Sequence, residues 1–191
     1  AGHGRTDLMK NAMCRHPGIW LALVLMFPGP HVADARADTV ETSGDVLRVA
    51  IPLAAYGLAW QRDDAPGRRQ FLWAFAATVA STYGLKAAIK KERPNGDDND
   101  AFPSGHTSSA FAGAAFLHRR YGLSDAWPAY LLAAYTGWTR VDSDNHDTWD
   151  VVGGAALAIG WNWWLVKPRD PVTVEPVARS DLVGLRVSGR F

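Results

Sequence analysis

Apolar residues dominate five stretches of the chain, roughly 46–60, 70–90, 105–120, 126–140 and 150–166. In FLWAFAATVASTYGL and VVGGAALAIGWNWWL no polar face interrupts them. A helix that is apolar all round is deeply buried or set in lipid. These runs exceed ordinary strand length, so they predict helices. Ala and Gly recur within them and let helix backbones approach closely. The pattern predicts an all-α bundle of about five core helices over residues 38–169.

Both ends differ from this middle. Residues 1–8 read as a leftover tag, with Met9 the natural start. Lys10, Arg15 and His16 then precede the apolar run IWLALVLMF and the small-residue stretch PGPHVADARAD. That order, basic then apolar then small, is that of a secretory signal. The apolar run is too short to span a bilayer alone. Residues 1–37 are therefore expected to be a signal peptide, cleaved or kept as an anchor. The tail, residues 170–191, alternates weakly at Leu185 and Val187 and suits a short strand or a disordered end.

Charge decides how the bundle is oriented. If the helices alternate, the turns 61–69 and 118–125 and the stretch after 166 share one side. They carry Arg62, Arg68, Arg69, Arg119, Arg120, Lys167 and Arg169, while NGDDND and VDSDNHD lie opposite. This is the positive-inside pattern. It predicts a bundle embedded in a bacterial inner membrane, its acidic end facing the periplasm. Nine Trp, several near segment ends, fit a membrane interface. Segments of about sixteen residues reach only about 24 Å against a hydrocarbon core of about 30 Å. The mean hydropathy of −0.12 is also low for such a protein. The alternative is a soluble periplasmic helical domain. A net charge of +1 and scattered basic residues exclude a nucleic-acid partner. The single Cys14 excludes a disulfide framework or a Cys-rich metal site.

The polar exceptions collect at the acidic end. Lys86 and Arg93 close the second segment, Pro103-Ser104-Gly105-His106 opens the third, Arg140 ends the fourth, and His146 and Asp150 precede or open the fifth. A buried cation cluster is costly without a counter-charge, so an anion is expected there. Ser104 and the free amides of a helix N-terminus favour the same ligand. Arginine's planar fork suits phosphate oxygens. Alone, each residue has an ordinary reading: Asp150 as a helix cap, Lys86 as a snorkelling lysine, His146 as part of a solvated loop. Asp97, Asp98 and Asp100 read as a solvated loop, since they lack the pattern of a calcium hand. His118, on the basic side, reads as unrelated.

Three stretches, Lys86-x6-Arg93-Pro94, Pro103-Ser104-Gly105-His106 and Arg140-x5-His146-x3-Asp150, together resemble the signature of the type 2 phosphatidic acid phosphatase superfamily, whose site is shared with vanadium haloperoxidases. The match runs from residue 86 to 150. Thr139 stands where the family often has Ser, and the interval from Pro94 to Pro103 is short, as in compact bacterial members.

The resemblance implies a phosphatase acting through a phosphohistidine, with no cofactor and no metal. His146 would be the nucleophile, Asp150 its imidazole partner, and His106 the general acid and then base. Lys86, Arg93, Ser104, Gly105 and Arg140 would hold the phosphate oxygens. The expected substrate is a phosphorylated lipid, such as phosphatidic acid, phosphatidylglycerol phosphate, a polyprenyl pyrophosphate or a phosphorylated glycolipid. A soluble nonspecific acid phosphatase, a haloperoxidase holding vanadate, or a non-catalytic phospholipid-binding protein are the alternatives.

Overall fold

The computed structural model describes residues 34–169, 173–179 and 182–188. Five helices follow one another: α1 (Asp34–Gln61), α2 (Ala65–Ile89), α3 (Gly105–Tyr121), α4 (Leu123–Asp142) and α5 (Thr148–Leu165). The four later helices fall within a few residues of the apolar segments. α1 starts well before its segment, because its first turns, DARADTVETSGD, are polar. Most of the expected leader lies outside the described residues; residues 34–37 belong to α1.

Local chemistry sets the breaks. Asp64 caps α2 by accepting the Gly67 amide at 3.0 Å, and a proline follows at its first positions. Ser104 caps α3. Asp147 and Asp150 form a reciprocal capping box at the start of α5. A single residue, Gly122 at φ +96, joins α3 to α4. That left-handed conformation strains any side chain but glycine, so the chain reverses in one step.

α3 is the central helix and packs against the other four. It buries residues on every side, from Thr107 and Ser108 through Ala112 and Ala115 to Phe116 and Leu117. The other helices use a different surface. α5 buries Asp150, Gly154, Ala158 and Asn162, a stripe of small and polar residues at every fourth position. It exposes Trp149, Val152, Trp163 and Trp164. α2 likewise buries Ala74, Thr78 and Thr82 and exposes Leu72, Trp73 and Tyr83. The all-round apolar pattern thus has two causes: burial in α3, and large exposed apolar residues in α2 and α5.

No helix among the described residues is long and apolar enough to cross a membrane. The end of the bundle away from α3's first turn is held by a buried ion pair. Arg120 donates to both carboxylate oxygens of Asp64, at 2.7 and 2.6 Å, and Tyr121 Oη adds a bond at 2.9 Å. His118 sits at this end against Tyr130 and Trp163. After the bundle, β1 (Thr173–Arg179) pairs antiparallel with β2 (Leu182–Ser188), in the register Thr173↔Ser188 to Arg179↔Leu182. The tail is thus a hairpin appended to an all-α bundle.

Candidate active site

The three motifs meet where α3 begins. Ser104 is fully buried, and its amide donates to the Asp150 carbonyl at 2.9 Å, tying the second motif to the third. Its hydroxyl accepts from Thr107 Oγ1 at 3.1 Å. A Cβ on Gly105 would meet Lys86 Cε and Thr82 Cγ2 at ordinary contact distance, both 3.9 Å, so nothing crowds this helix start. The amides of Asn145 and His146 both bond the Arg140 carbonyl, at 3.1 and 3.0 Å, which folds the third motif back on the end of α4.

Asp150 is fully buried. Its Oδ1 accepts from Lys91 Nζ at 2.7 Å and its Oδ2 from the Asp147 amide at 3.0 Å. The same Oδ2 faces His146 Nδ1 at 3.6 Å. Nδ1 is buried with no hydrogen-bond partner among the described residues, so the imidazole and carboxylate face each other just beyond bonding distance. Lys91 also reaches Asp147 at 2.5 Å. Burial disfavours its ammonium, but the bonds it donates to both aspartates outweigh this and raise its pKa.

The phosphate-binding candidates are already paired. Arg93 places Nε 2.8 Å and Nη2 2.7 Å from Asp100 Oδ1. Lys86 Nζ bonds the Asp100 carbonyl and lies 3.4 Å from its Oδ2. Arg140, only 2% exposed, bonds the Glu41 carbonyl at 2.7 Å and contacts Asp45 Oδ1 at 3.3 Å. His106 Nε2 lies 2.6 Å from that same Asp45 oxygen. Asn145 links the two halves, accepting from Arg93 at 3.4 Å and donating to Glu41 Oε1 at 2.8 Å.

These contacts correct two expectations. The cation cluster does not lack counter-charge: Asp100, Glu41 and Asp45 supply it. Asp100 is also not a solvated loop residue. Burial opposes its ionisation, but Arg93's bond and the charges of Lys86 and Arg93 hold its pKa below the usual carboxylate range. Asp97 and Asp98 do stay in the exposed loop, bonding Asn95 and the Asn99 amide.

Both histidines are depressed. Burial is the main cause for His106, with the charges of Arg140 and Arg48 adding to it; Asp45 pulls the other way, and the result is about 4. Burial likewise lowers His146, reinforced by Lys86 and opposed by Asp150. Both imidazoles thus stand among cations, each beside a carboxylate. Asp45, Glu41, Lys91 and Asp100 were not legible as site residues. They are single charges in polar runs, with no spacing to mark them.

The chain belongs to the PAP2 superfamily, the type 2 phosphatidic acid phosphatases, which it matches over residues 68–170. Among proteins similar to it is a lipid A 1-phosphatase of Helicobacter pylori, 31% identical over 156 residues that cover 77% of this chain and 75% of that one. A lipid A 1-phosphatase of Porphyromonas gingivalis is 38% identical over 77 residues, 39% of this chain, and that match spans 17% of the longer protein. In fold, the chain resembles the crystal structure of Aquifex aeolicus LpxE, with a TM-score of 0.57 and 19% identity, covering 69% of this chain and 85% of that one.

Proposed function

We propose that this chain is a phosphatase that removes a phosphate from a lipid head group, a phosphorylated glycolipid above all, through a phosphohistidine on His146. The observation that carries the reading is the meeting of Lys86, Arg93, Ser104 and Arg140 with two histidines, each beside a carboxylate, at one end of the bundle. His146 turns Nδ1 toward Asp150, which leaves Nε2 to attack phosphorus. The N–P bond forms as the P–O bond breaks, and His106 gives its proton to the leaving oxygen. Water then attacks phosphorus, passes a proton to His106, and the N–P bond breaks to release phosphate. Lys86, Arg93, Arg140, Ser104 and the amide of Gly105 hold the three equatorial oxygens, where charge grows in the transition state. Fixed cations perform that task, so the reaction proceeds with no metal.

The lipid substrate rests on two supports. Both named relatives are lipid A 1-phosphatases. The bundle also exposes Trp138, Trp149 and Tyr83 toward the site end and Trp60, Trp127 and Trp164 toward the other. Large apolar surface of this kind marks contact with lipid or a partner, and tryptophan favours the headgroup zone. We place these exposed side chains against the inner membrane with the site on the periplasmic face, since Arg62, Arg68, Arg69, Arg119 and Lys167 lie at the opposite end.

The test is phosphate release in detergent with chelator present, from a lipid phosphate and from a short soluble phosphomonoester, beside His146→Ala. Release from the lipid, lost in the variant, is expected. Preference for the soluble ester would overturn the lipid assignment, and release that survives in the variant would overturn the mechanism.

A further inference from the structure

Asp45 lies on α1, forty-one residues before the first motif's lysine if counted from Lys86 (86 − 45 = 41). Its side chain is 46% exposed, so the core does not dictate its presence. Yet one of its oxygens, Oδ1, reaches both His106 Nε2 at 2.6 Å and Arg140 Nη1 at 3.3 Å. From this geometry we infer that Asp45 is a positioning residue that orients His106 and retains its proton for the leaving group, forming a second histidine–carboxylate pair opposite His146 and Asp150. The inference rests on the phosphatase reading above.

With Nε2 held by Asp45, Nδ1 is the ring nitrogen left to face the substrate. In the first step the imidazolium keeps Nε2–H on Asp45 and gives the Nδ1 proton to the departing alkoxide. In the second step neutral Nδ1 takes a proton from the attacking water, and the charge that returns to the ring lies beside a carboxylate.

The need for such a partner follows from the surroundings of His106. Asp45 and Arg48 on α1 and Arg140 on α4 act on His106 itself. Glu41 on α1, Lys86 on α2, and Arg93, Asp100, His146 and Asp150 from the loops and the start of α5 are the other charged and titratable groups at this end of the bundle. Burial drives the proton off, and the charges of Arg140 and Arg48 act in the same sense. Asp45 opposes them directly through both its hydrogen bond and its charge. A general acid works best when its pKa is near the working pH. An arginine-lined phosphate site works against that, and a carboxylate on the far ring nitrogen offsets part of the loss.

The same contacts allow a rival role, in which Asp45 merely occupies Arg140 until phosphate arrives. Leaving-group chemistry separates the two. An alkoxide must be protonated as it departs, whereas p-nitrophenolate leaves without help. The full chain in detergent is assayed on an alkyl phosphate and on p-nitrophenyl phosphate, as wild type, Asp45→Asn and Asp45→Glu, across pH.

For Asp45→Asn, kcat/KM on the alkyl ester is expected to fall at least about tenfold, within the range general acid catalysis supplies. The loss on the aryl ester should be several-fold smaller. A general acid must be protonated, and losing the carboxylate lowers the pKa of His106. The falling alkaline limb of the alkyl profile should therefore move to lower pH, and Asp45→Glu should recover part of both effects. Equal losses on the two esters with an unmoved limb overturn the inference, as does a lower KM with kcat unchanged, the mark of a displaced placeholder. Wild-type protein that releases phosphate from neither ester, or equally in His146→Ala, overturns the phosphatase reading itself.

Discussion

Gly154→Ala tests how rigidly the second motif is set against the third. A Cβ on Gly154 would lie 2.6 Å from the Ser104 carbonyl oxygen, 3.2 Å from the Ser108 nitrogen and 3.4 Å from Thr107 Cβ. A carbon–oxygen contact closes to about 3.3 Å, so the helices must part by roughly 0.7 Å (3.3 − 2.6). No flexible side chain can absorb this. The Ser104 carbonyl is fixed by the Ser108 amide at 3.0 Å, and the Ser104 amide by the Asp150 carbonyl at 2.9 Å. The shift therefore separates Ser104, Gly105 and His106 from His146 and Asp150. A misplacement of about 1 Å can cost on the order of a hundredfold in rate, so kcat should fall about 10- to 100-fold. Overpacking costs about 1–3 kcal/mol, while alanine's better helix propensity returns about 1 kcal/mol, leaving a small net loss of stability. Gly160→Ala is the control on the same helix, since its Cβ would meet nothing within 4 Å. It should raise the melting temperature with kcat unchanged. Phosphate release and thermal melts of both variants decide the matter. A Gly154→Ala protein with wild-type kcat and a raised melting temperature refutes the reasoning.

Three further outcomes are expected. Lys91→Met removes the ammonium from Asp150 and Asp147; with charged hydrogen bonds worth about 1.5–3 kcal/mol, kcat should fall about tenfold or more with little change in KM, and a change in KM alone would refute the role. Asp64→Asn leaves Arg120 buried without its charge partner and should cost about 3–5 kcal/mol in denaturant melts, a loss under about 1 kcal/mol counting against it. Because Asp64's folded pKa lies below its unfolded value, this stabilisation is present above the unfolded value and is lost as pH falls toward the folded one, so the wild type should lose more stability than the variant on acidification. The profile of kcat/KM against pH, which reports the free enzyme, should peak on the acid side of neutrality, because His106, the group to be protonated, and His146, the group to be neutral, are both depressed; a maximum above about pH 8 would contradict this.

The sequence was legible where chemistry has fixed spacing and opaque where a single charge acts across the fold. Lys86, His106 and Arg140 are polar residues at the ends of apolar runs, while Arg93 and His146 lie in polar runs of their own; it was the joint spacing of these five with Asp150, and the family resemblance it carries, that singled them out. Asp45 and Glu41 sit in TVETSGD, whose polarity hid both their contacts and the start of α1. Lys91 lies among charged residues that a solvated loop would also carry. Asp100 was misread because a run of acids suggests solvent, whereas only its neighbours stay there. Hydropathy failed in another way for α5. Its buried stripe is Asp150, Gly154, Ala158 and Asn162, and its exposed face holds the tryptophans. A helix that hides small and polar residues and shows large apolar ones has no hydrophobic face pointing to the core, so periodicity cannot orient it.

The carboxylates around the cations shape what the site can bind. On the proposed function, a phosphate that engages Lys86, Arg93 and Arg140 would take the place of Asp100 and of the Glu41 and Asp45 contacts, so its affinity would be a difference between two anion interactions. That competition weakens substrate, transition state and product alike. Taken relative to free protein it raises KM and eases product release, and it leaves the barrier from bound substrate untouched. The buried Asp150 is different. It faces His146, is held by Lys91 and the Asp147 amide, and stands on the side of the imidazole away from the attacking nitrogen. On the proposed mechanism phosphate would leave it in place, and its interaction with the imidazole would grow as positive charge develops on the ring. On this reading one site holds carboxylates of two kinds, those that phosphate would displace and those that would support the histidines. The position of Asp45, sharing one oxygen between Arg140 and His106, lets it leave the first and keep the second.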